Sequence, residues 1–309
     1  MRTVWLASYP KSGNTWMRLL IAALSLEEDK PLDINAIPHK FPIASARGPF
    51  DDFTLIDSGL LTHDEIDALR PAVHEAQARG TEADGSEHVG RFVKTHDAYT
   101  LLPDGTPLLA GARGASGAVL IVRDPRGVAP SFANHYGMDI DRAISRMADP
   151  VDCVSGSTGR GHVQLRQCLL GWSGFNASWL DQRDLPVLLI RYEDMIADAA
   201  SALARVVTFA ELAPEPDRIA RAVAMASFGE LTGQESANGF AESPRKMSGR
   251  FFRRGEAGAW RDELTLEQIA QIERAHGAMM TRLGYRLANA HRAPAEPSSH
   301  DGGTYEARR

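Results

Sequence analysis

A lysine followed by small hydrogen-bond donors and a single glycine, Pro10-Lys11-Ser12-Gly13-Asn14-Thr15-Trp16, is the stretch of this chain best suited to holding an anion. Lys11 supplies a point charge, Ser12, Asn14 and Thr15 supply neutral donors, and Gly13 lets the main chain approach a guest closely. The apolar run from Thr3 to Ala7 before it and the helix-like run from Met17 to Leu26 after it make it a strand-to-helix turn. Backbone N–H groups and the positive helix end then face one point, a natural seat for phosphate or sulfate. The pattern is not the ATP-binding loop G-x-x-x-x-G-K-[ST], because the lysine stands before the glycine instead of after it.

Three further groups bear chemistry. Arg91 to His96 reads as a short strand ending in Lys94-Thr95-His96, and sites in open parallel sheets lie beyond the carboxyl ends of strands. With ten histidines present, position alone singles out His96. Ala118 to Val122 is the purest apolar run, a central parallel strand covered on both faces, and it opens into Arg123-Asp124-Pro125-Arg126-Gly127 and, after one helical turn, Ser131. Arg123 is there either a solvated charge or a second anion clamp. Arg253-Arg254-Gly255, inside a glycine- and charge-rich stretch, is either surface or a bidentate grip on a phosphate.

In this order the stretches resemble the signatures of the cytosolic-type, PAPS-dependent sulfotransferases, with the character of a bacterial member; PAPS is 3′-phosphoadenosine 5′-phosphosulfate. The match runs from about Val4 to Tyr285. The resemblance implies a single-domain α/β fold with a P-loop-NTPase-like central parallel sheet flanked by helices. It implies that Lys11, Ser12, Gly13, Asn14 and Thr15 cradle the 5′-phosphosulfate, and that Arg123, Ser131, Arg253, Arg254 and Gly255 hold the 3′-phosphate. Trp16 and Phe228 flank the adenine, Tyr192 and Ser227 line the nucleotide, and Phe251 packs near it. The catalytic group is then His96 as base, with Lys11 stabilising the leaving phosphate, Lys94 at the transferred group and Ser131 restraining Lys11. The product nucleotide is adenosine 3′,5′-bisphosphate (PAP), and no metal is expected.

Departures are visible: Asp124 replaces a frequent asparagine, Gly127 a usual aspartate and Arg254 a usual lysine, while Arg261, Thr265, Leu266 and Ala270 fit the family's dimer motif poorly. A small-molecule kinase and a non-catalytic PAP binder stay open as alternatives. The acceptor is a hydroxyl or amine on a small molecule, glycan or lipid, with Phe41, Phe50, Phe53 and Tyr136 as apolar candidates for its pocket. The oligomeric state is open.

The elements that must position these groups follow from pattern. The expected sulfotransferase domain covers residues 1–288, with acceptor-side insertions at 31–90 and 138–161 and a disordered tail at 289–309. Thr62-His63-Asp64-Glu65 signals a helix start in the first insertion, which otherwise lacks the apolar content for a core of its own. The segment 138–161 is poor in pattern. Helical spacing is expected over 163–180, a buried strand over 187–190, helices over 198–212, 216–225 and 264–283, and a glycine- and charge-rich stretch over 232–258. A net charge of −6 argues against nucleic acid and anionic membranes as partners. The two cysteines, Cys153 and Cys168, give neither a disulfide framework nor zinc spacing and read as idle thiols. The chain enters its first strand by residue 3, leaving no room for a leader, and it lacks the roughly 20-residue apolar run of a membrane span. A cytoplasmic protein is the expectation.

Overall fold

The computed structural model describes residues 3–37, 41–80, 92–156, 163–213 and 215–288. The strands in chain order are β1 (Val4–Ser8), β2 (Phe92–Thr95), β3 (Gly117–Val122), β4 (Cys153–Val154), β5 (Gln167–Cys168) and β6 (Val187–Arg191). Four of them make one parallel sheet in the order β2-β1-β3-β6, and β4 and β5 pair antiparallel apart from it. The helices are α1 (Asn14–Leu24), α2 (Arg47–Thr54), α3 (His63–Gly80), α4 (Pro125–Tyr136), α5 (Ile140–Ala148), α6 (Gly171–Asp181), α7 (Tyr192–Ala197), α8 (Ala199–Phe209), α9 (Pro216–Met225), α10 (Phe228–Asn238) and α11 (Leu266–Arg282).

Helices cover both faces of the sheet, so β1 and β3 are buried at every residue and their sequences are apolar throughout. The strand period of two divides them. Trp5, Ala7, Leu120 and Val122 turn to Phe132, Trp172, Phe175, Trp179 and Met280, whereas Val4, Leu6, Val119 and Ile121 turn to Leu20, Leu203, Val206 and Ala222. Each fully buried large side chain of this kind contributes about 1.5–3 kcal/mol relative to exposure. β1, β2 and β3 end at one edge, and that edge carries Lys11, Lys94-Thr95-His96 and Arg123.

Several local expectations are corrected. The insertion over 31–90, of which 38–40 and 81–90 lie outside the described residues, buries Phe50, Ile66 and Val73 from α2 and α3 in a small cluster that Leu165 from elsewhere completes. Within 138–161, Asp139 caps the helix α5, whose Ala143, Ile144 and Met147 are buried; residues 157–161 lie outside the described residues. Helix over 163–180 is wrong in its first half: β5 comes first, and α6 starts only at Gly171, where Leu170 and Gly171 take left-handed φ of 57° and 65°. β6 is the sheet's edge and only Ile190 is fully buried. The stretch 232–258 begins inside α10. Phe41 and Phe50 are consumed by the core and Phe53 is 48% exposed, which leaves Tyr136 of the aromatic acceptor candidates beside the site. The tail at 289–309 lies outside the described residues.

One buried ion pair joins the insertion to the sheet edge. Arg70 of α3 donates to both carboxylate oxygens of Asp97 at 2.9 and 2.6 Å and to the Arg166 carbonyl at 3.2 Å. Asp97 follows His96 directly, so this pair fixes the end of β2 from below. Removing one partner of such a pair leaves an uncompensated buried charge. Arg70→Ala is expected to lose about 3–5 kcal/mol of stability, measured from urea unfolding curves.

Candidate active site

The loop between β1 and α1 is bent into an anion cradle. Lys11 has φ of 69° and Gly13 has φ of 107°, the left-handed conformation that turns successive N–H groups to one side. Glycine is required at the second of these, since a Cβ on Gly13 would stand 2.7 Å from Cδ2 of the Tyr192 ring. Gly13 caps α1 without any side-chain hydrogen bond, leaving the first-turn N–H groups facing the loop. Ser12 is fully buried, and its Oγ has no hydrogen-bond partner among the described residues. An unpaired buried hydroxyl is costly unless something fills the cradle.

Asn14 and Thr15 behave differently from expectation. The Asn14 amide donates to the Leu6 carbonyl at 2.9 Å and accepts from Arg18 Nε at 3.1 Å, so its side chain holds the loop instead of facing a guest. Thr15 Oγ1 accepts from Arg18 and donates to Glu242 at 3.3 Å. Beneath the loop, fully buried Arg18 grips Glu242 in a fork at 2.8 and 2.6 Å. Burial works to raise the Glu242 carboxyl, but the Arg18 guanidinium outweighs it and holds the group down to about 2.

At the other side of the cradle stand two imidazoles. His96 Nδ1 lies 2.6 Å from the Ser8 carbonyl, which only accepts, so the ring proton is on Nδ1 and Nε2 keeps its lone pair. Burial and the Lys94 charge push His96 well below its ordinary value, which keeps it a neutral base near neutrality. Lys11 Nζ stands 3.4 Å from His135 Nδ1 and 3.8 Å above the Phe251 ring. The partner of Lys11 is thus His135, one helical turn beyond Ser131 on α4, and not Ser131 itself. Phe251 accordingly lies at the lysine and not only along a nucleotide.

Burial, Arg123 and Lys94 lower Lys11 to about 7, and burial and Arg18 lower Lys94 to about 8. His135 is lowered to about 3 by burial and the Lys11 charge.

Arg123 leaves the end of β3, donates to the Lys11 carbonyl at 3.1 Å and lies over the Tyr192 ring at 4.4 Å. Gly127 makes room for it, since a Cβ there would stand 3.2 Å from the guanidinium Nε. Arg126 serves another purpose, pairing with Asp124 at 2.7 Å and Glu273 at 2.7 Å under the Trp260 ring. Asp124 also caps α4, so its carboxylate has structural work that asparagine would do less well. Arg123, Tyr192, Arg253, Arg254 and Trp260 line one small pocket. Glu263 shares it, accepting from Arg253 through both oxygens and lying 3.7 Å from Arg254.

Trp16 Nε1 donates to the Ala226 carbonyl at 2.9 Å and its ring meets Tyr192 edge-on. Ser227 starts α10 with no side-chain capping bond, and Phe228, 39% exposed, packs against the left-handed Gly255. Tyr192 and Gly255 thus approach Arg123 and Arg253 from either side. Sequence reasoning missed Arg18, His135, Glu242 and Glu263; only His135 had an available signal, its i,i+4 spacing from Ser131. Cations crowded at two ends of one cleft, with an unsatisfied hydroxyl between glycine turns, suit a nucleotide with anionic groups at both ends. Among the described residues no group of His, Cys, Asp and Glu gathers as a metal site, and no helix is long and apolar enough to cross a membrane.

Comparison with known proteins gives the same direction. The family described as "Sulfotransferase domain" matches residues 1–284. Luciferin sulfotransferase of Photinus pyralis is 25% identical over 281 residues, covering 86% of this chain and 68% of that protein. Cytosolic sulfotransferase 12 of Arabidopsis thaliana is 25% identical over 279 residues, covering 87% and 74%. The structure of retinol dehydratase in complex with androsterone and inactive cofactor PAP superposes with a TM-score of 0.54 at 20% identity, over 94% of this chain and 84% of that one.

The lowered lysines set a pH expectation. A bound bisphosphate raises Lys11 and Lys94 toward their ordinary values, so binding above about pH 7 takes up protons. PAP affinity is expected to fall as pH rises from 7 to 9, with proton uptake visible by calorimetry in buffers of different ionisation enthalpy.

Proposed function

Because the chain belongs to the sulfotransferase domain family, we propose that His96, Lys11 and Lys94 serve a sulfuryl transfer to a hydroxyl or amine of a small-molecule, glycan or lipid acceptor. The family membership makes the protein a PAPS-dependent sulfotransferase with a P-loop-NTPase-like fold, which decides against the kinase and the non-catalytic binder. PAPS supplies the sulfuryl group on a phosphate leaving group.

His96 Nε2 takes the acceptor's proton as its nucleophilic atom is freed to attack. The observation that carries this reading is the 2.6 Å bond from His96 Nδ1 to the Ser8 carbonyl, which aims a neutral Nε2 from the strand end nearest Lys11. Lys11, Ser12 and the loop N–H groups meet negative charge on the leaving oxygen, fixed donors in a half-buried site. Lys94 neutralises the transferred group. Arg123, Arg253, Arg254 and Ser131 hold the 3′-phosphate, with Gly255 permitting the close turn, and Trp16, Phe228, Tyr192 and Ser227 receive the base and ribose. Phe251 covers the Lys11 side.

We assign the acceptor to the side built by segments 31–90 and 138–161. α3 reaches Asp97 through Arg70, and Tyr136 and His135 end the helix α4 on which α5 packs. Retinol dehydratase, similar to this chain in fold, was captured in complex with androsterone, which supports an apolar acceptor. The domain is assigned to residues 1–288, and a cytoplasmic location follows from likeness to a cytosolic relative.

Two experiments test the assignment. Purified protein with labelled PAPS and an acceptor panel is expected to move label, and His96→Ala to reduce transfer at least 100-fold while PAP binding changes little; retained turnover in the variant refutes the base. Glu263 competes with the 3′-phosphate for Arg253, so Glu263→Gln is expected to tighten PAP binding several-fold, the ~1 kcal/mol scale of a partly exposed ion pair. Calorimetry reads it, and weaker binding would show that Glu263 positions the arginine.

A further inference from the structure

We propose that Cys153 and Cys168 form a covalent modification site: a thiol pair that a hydroperoxide converts into one cross-strand disulfide. The chain spacing of the two cysteines predicts no partnership, and the fold supplies it. In the antiparallel pair of β4 and β5, Cys153 stands directly opposite Cys168 and Val154 opposite Gln167.

The ladder geometry is the favourable one. The Leu169 N–H donates to the Asp152 carbonyl at 3.0 Å, a bond that flanks the cysteine pair and is not made by it. This marks a non-hydrogen-bonded position, where Cα atoms approach to about 4.5 Å and side chains are closest. That separation lies inside the range disulfides span, roughly 4.4–6.8 Å. The sulfurs already stand 3.5 Å apart, and both residues are half-buried, so a small oxidant reaches them. Rotation of the side chains alone closes the remaining gap to about 2.05 Å.

The hairpin is held while this happens. Arg146 grips Asp152 at 2.8 Å and the Cys153 carbonyl at 3.3 Å, and the Ala98 N–H donates to the Cys168 carbonyl at 2.9 Å. Ala98 lies two residues after His96, so the bond braces the segment beyond β2 that carries the candidate base.

The order of events follows from the environment. Burial and the adjoining Cys153 thiol push Cys168 up to about 12, so it stays protonated near neutrality and the first attack falls to Cys153. The Cys153 sulfur takes one oxygen from the peroxide as the O–O bond breaks, giving a sulfenic acid and releasing water. The Cys168 sulfur then attacks the sulfenyl sulfur, loses its proton and expels the second water. Two thiols and one hydrogen peroxide become one disulfide and two waters.

The test treats the full chain with stoichiometric hydrogen peroxide. The expected product is a monomer lighter by two hydrogen atoms, with a Cys153–Cys168 peptide in a non-reducing digest, no maleimide-reactive thiol, and full reversal by dithiothreitol. Because the strands do not move, the oxidised chain melts higher than the reduced one. In Cys168→Ser the peroxide product is a sulfenic acid at Cys153 trapped by dimedone. Separate sulfinic acids or intermolecular dimers in place of the intrachain bond overturn the proposal, as does an oxidised form that melts lower.

Discussion

Mutual repulsion of cations held at one sheet edge is the constraint around which this molecule is arranged. Lys11, Lys94 and Arg123 converge where β1, β2 and β3 end; burial with the Arg123 and Lys94 charges depresses Lys11, and burial with the Arg18 charge depresses Lys94. Such a cluster is unfavourable in a folded chain unless the scaffold is stiff enough to impose it. The fully covered parallel sheet supplies that stiffness, and Arg18 with Glu242 anchors the loop from below. The same crowding that costs stability prepares the cleft for a polyanion, because each added negative group relieves repulsion that is already present.

The arginines divide into two populations by what their neighbours offer. Arg18, Arg70 and Arg126 are buried and held by forks to carboxylates, and they act as fasteners between distant segments. Arg123, Arg253 and Arg254 line the pocket and are part-exposed: Arg123 lies over the Tyr192 ring, Arg253 forks onto Glu263, and Arg254 stands 3.7 Å from the same carboxylate. The RDPR stretch contains one of each kind, three residues apart. Its first arginine lies over the Tyr192 ring in room that Gly127 leaves, and its second pairs with Glu273 and so ties α4 to α11.

The imidazoles show the same division of labour. A carbonyl partner on Nδ1 fixes the tautomer of His96 and leaves Nε2 basic, whereas His135 lends its Nδ1 to Lys11. Ser131 stands one turn earlier on the same helix, and the Lys11 ammonium lies 3.4 Å from the His135 ring nitrogen.

The sequence by itself determined the sheet and the cationic ends of the cleft. Long apolar runs such as Ala118 to Val122 have one stable location, and a Lys-Ser-Gly turn between strand and helix has one electrostatic use. Local pattern was weaker where tertiary contacts override it: β5 inside an apparent helix, α5 in a stretch dismissed as irregular, and α10 inside glycine-rich chain. The roles of Asn14, Glu242, Glu263, His135 and the facing cysteines were decided only by the tertiary structure. Their partners range from Arg18, four positions from Asn14, to Glu242, 224 positions from Arg18, and no spacing rule says which of these the fold brings together. Residue type dictates what a side chain is able to do, and the packing of distant segments dictates which of those things it does.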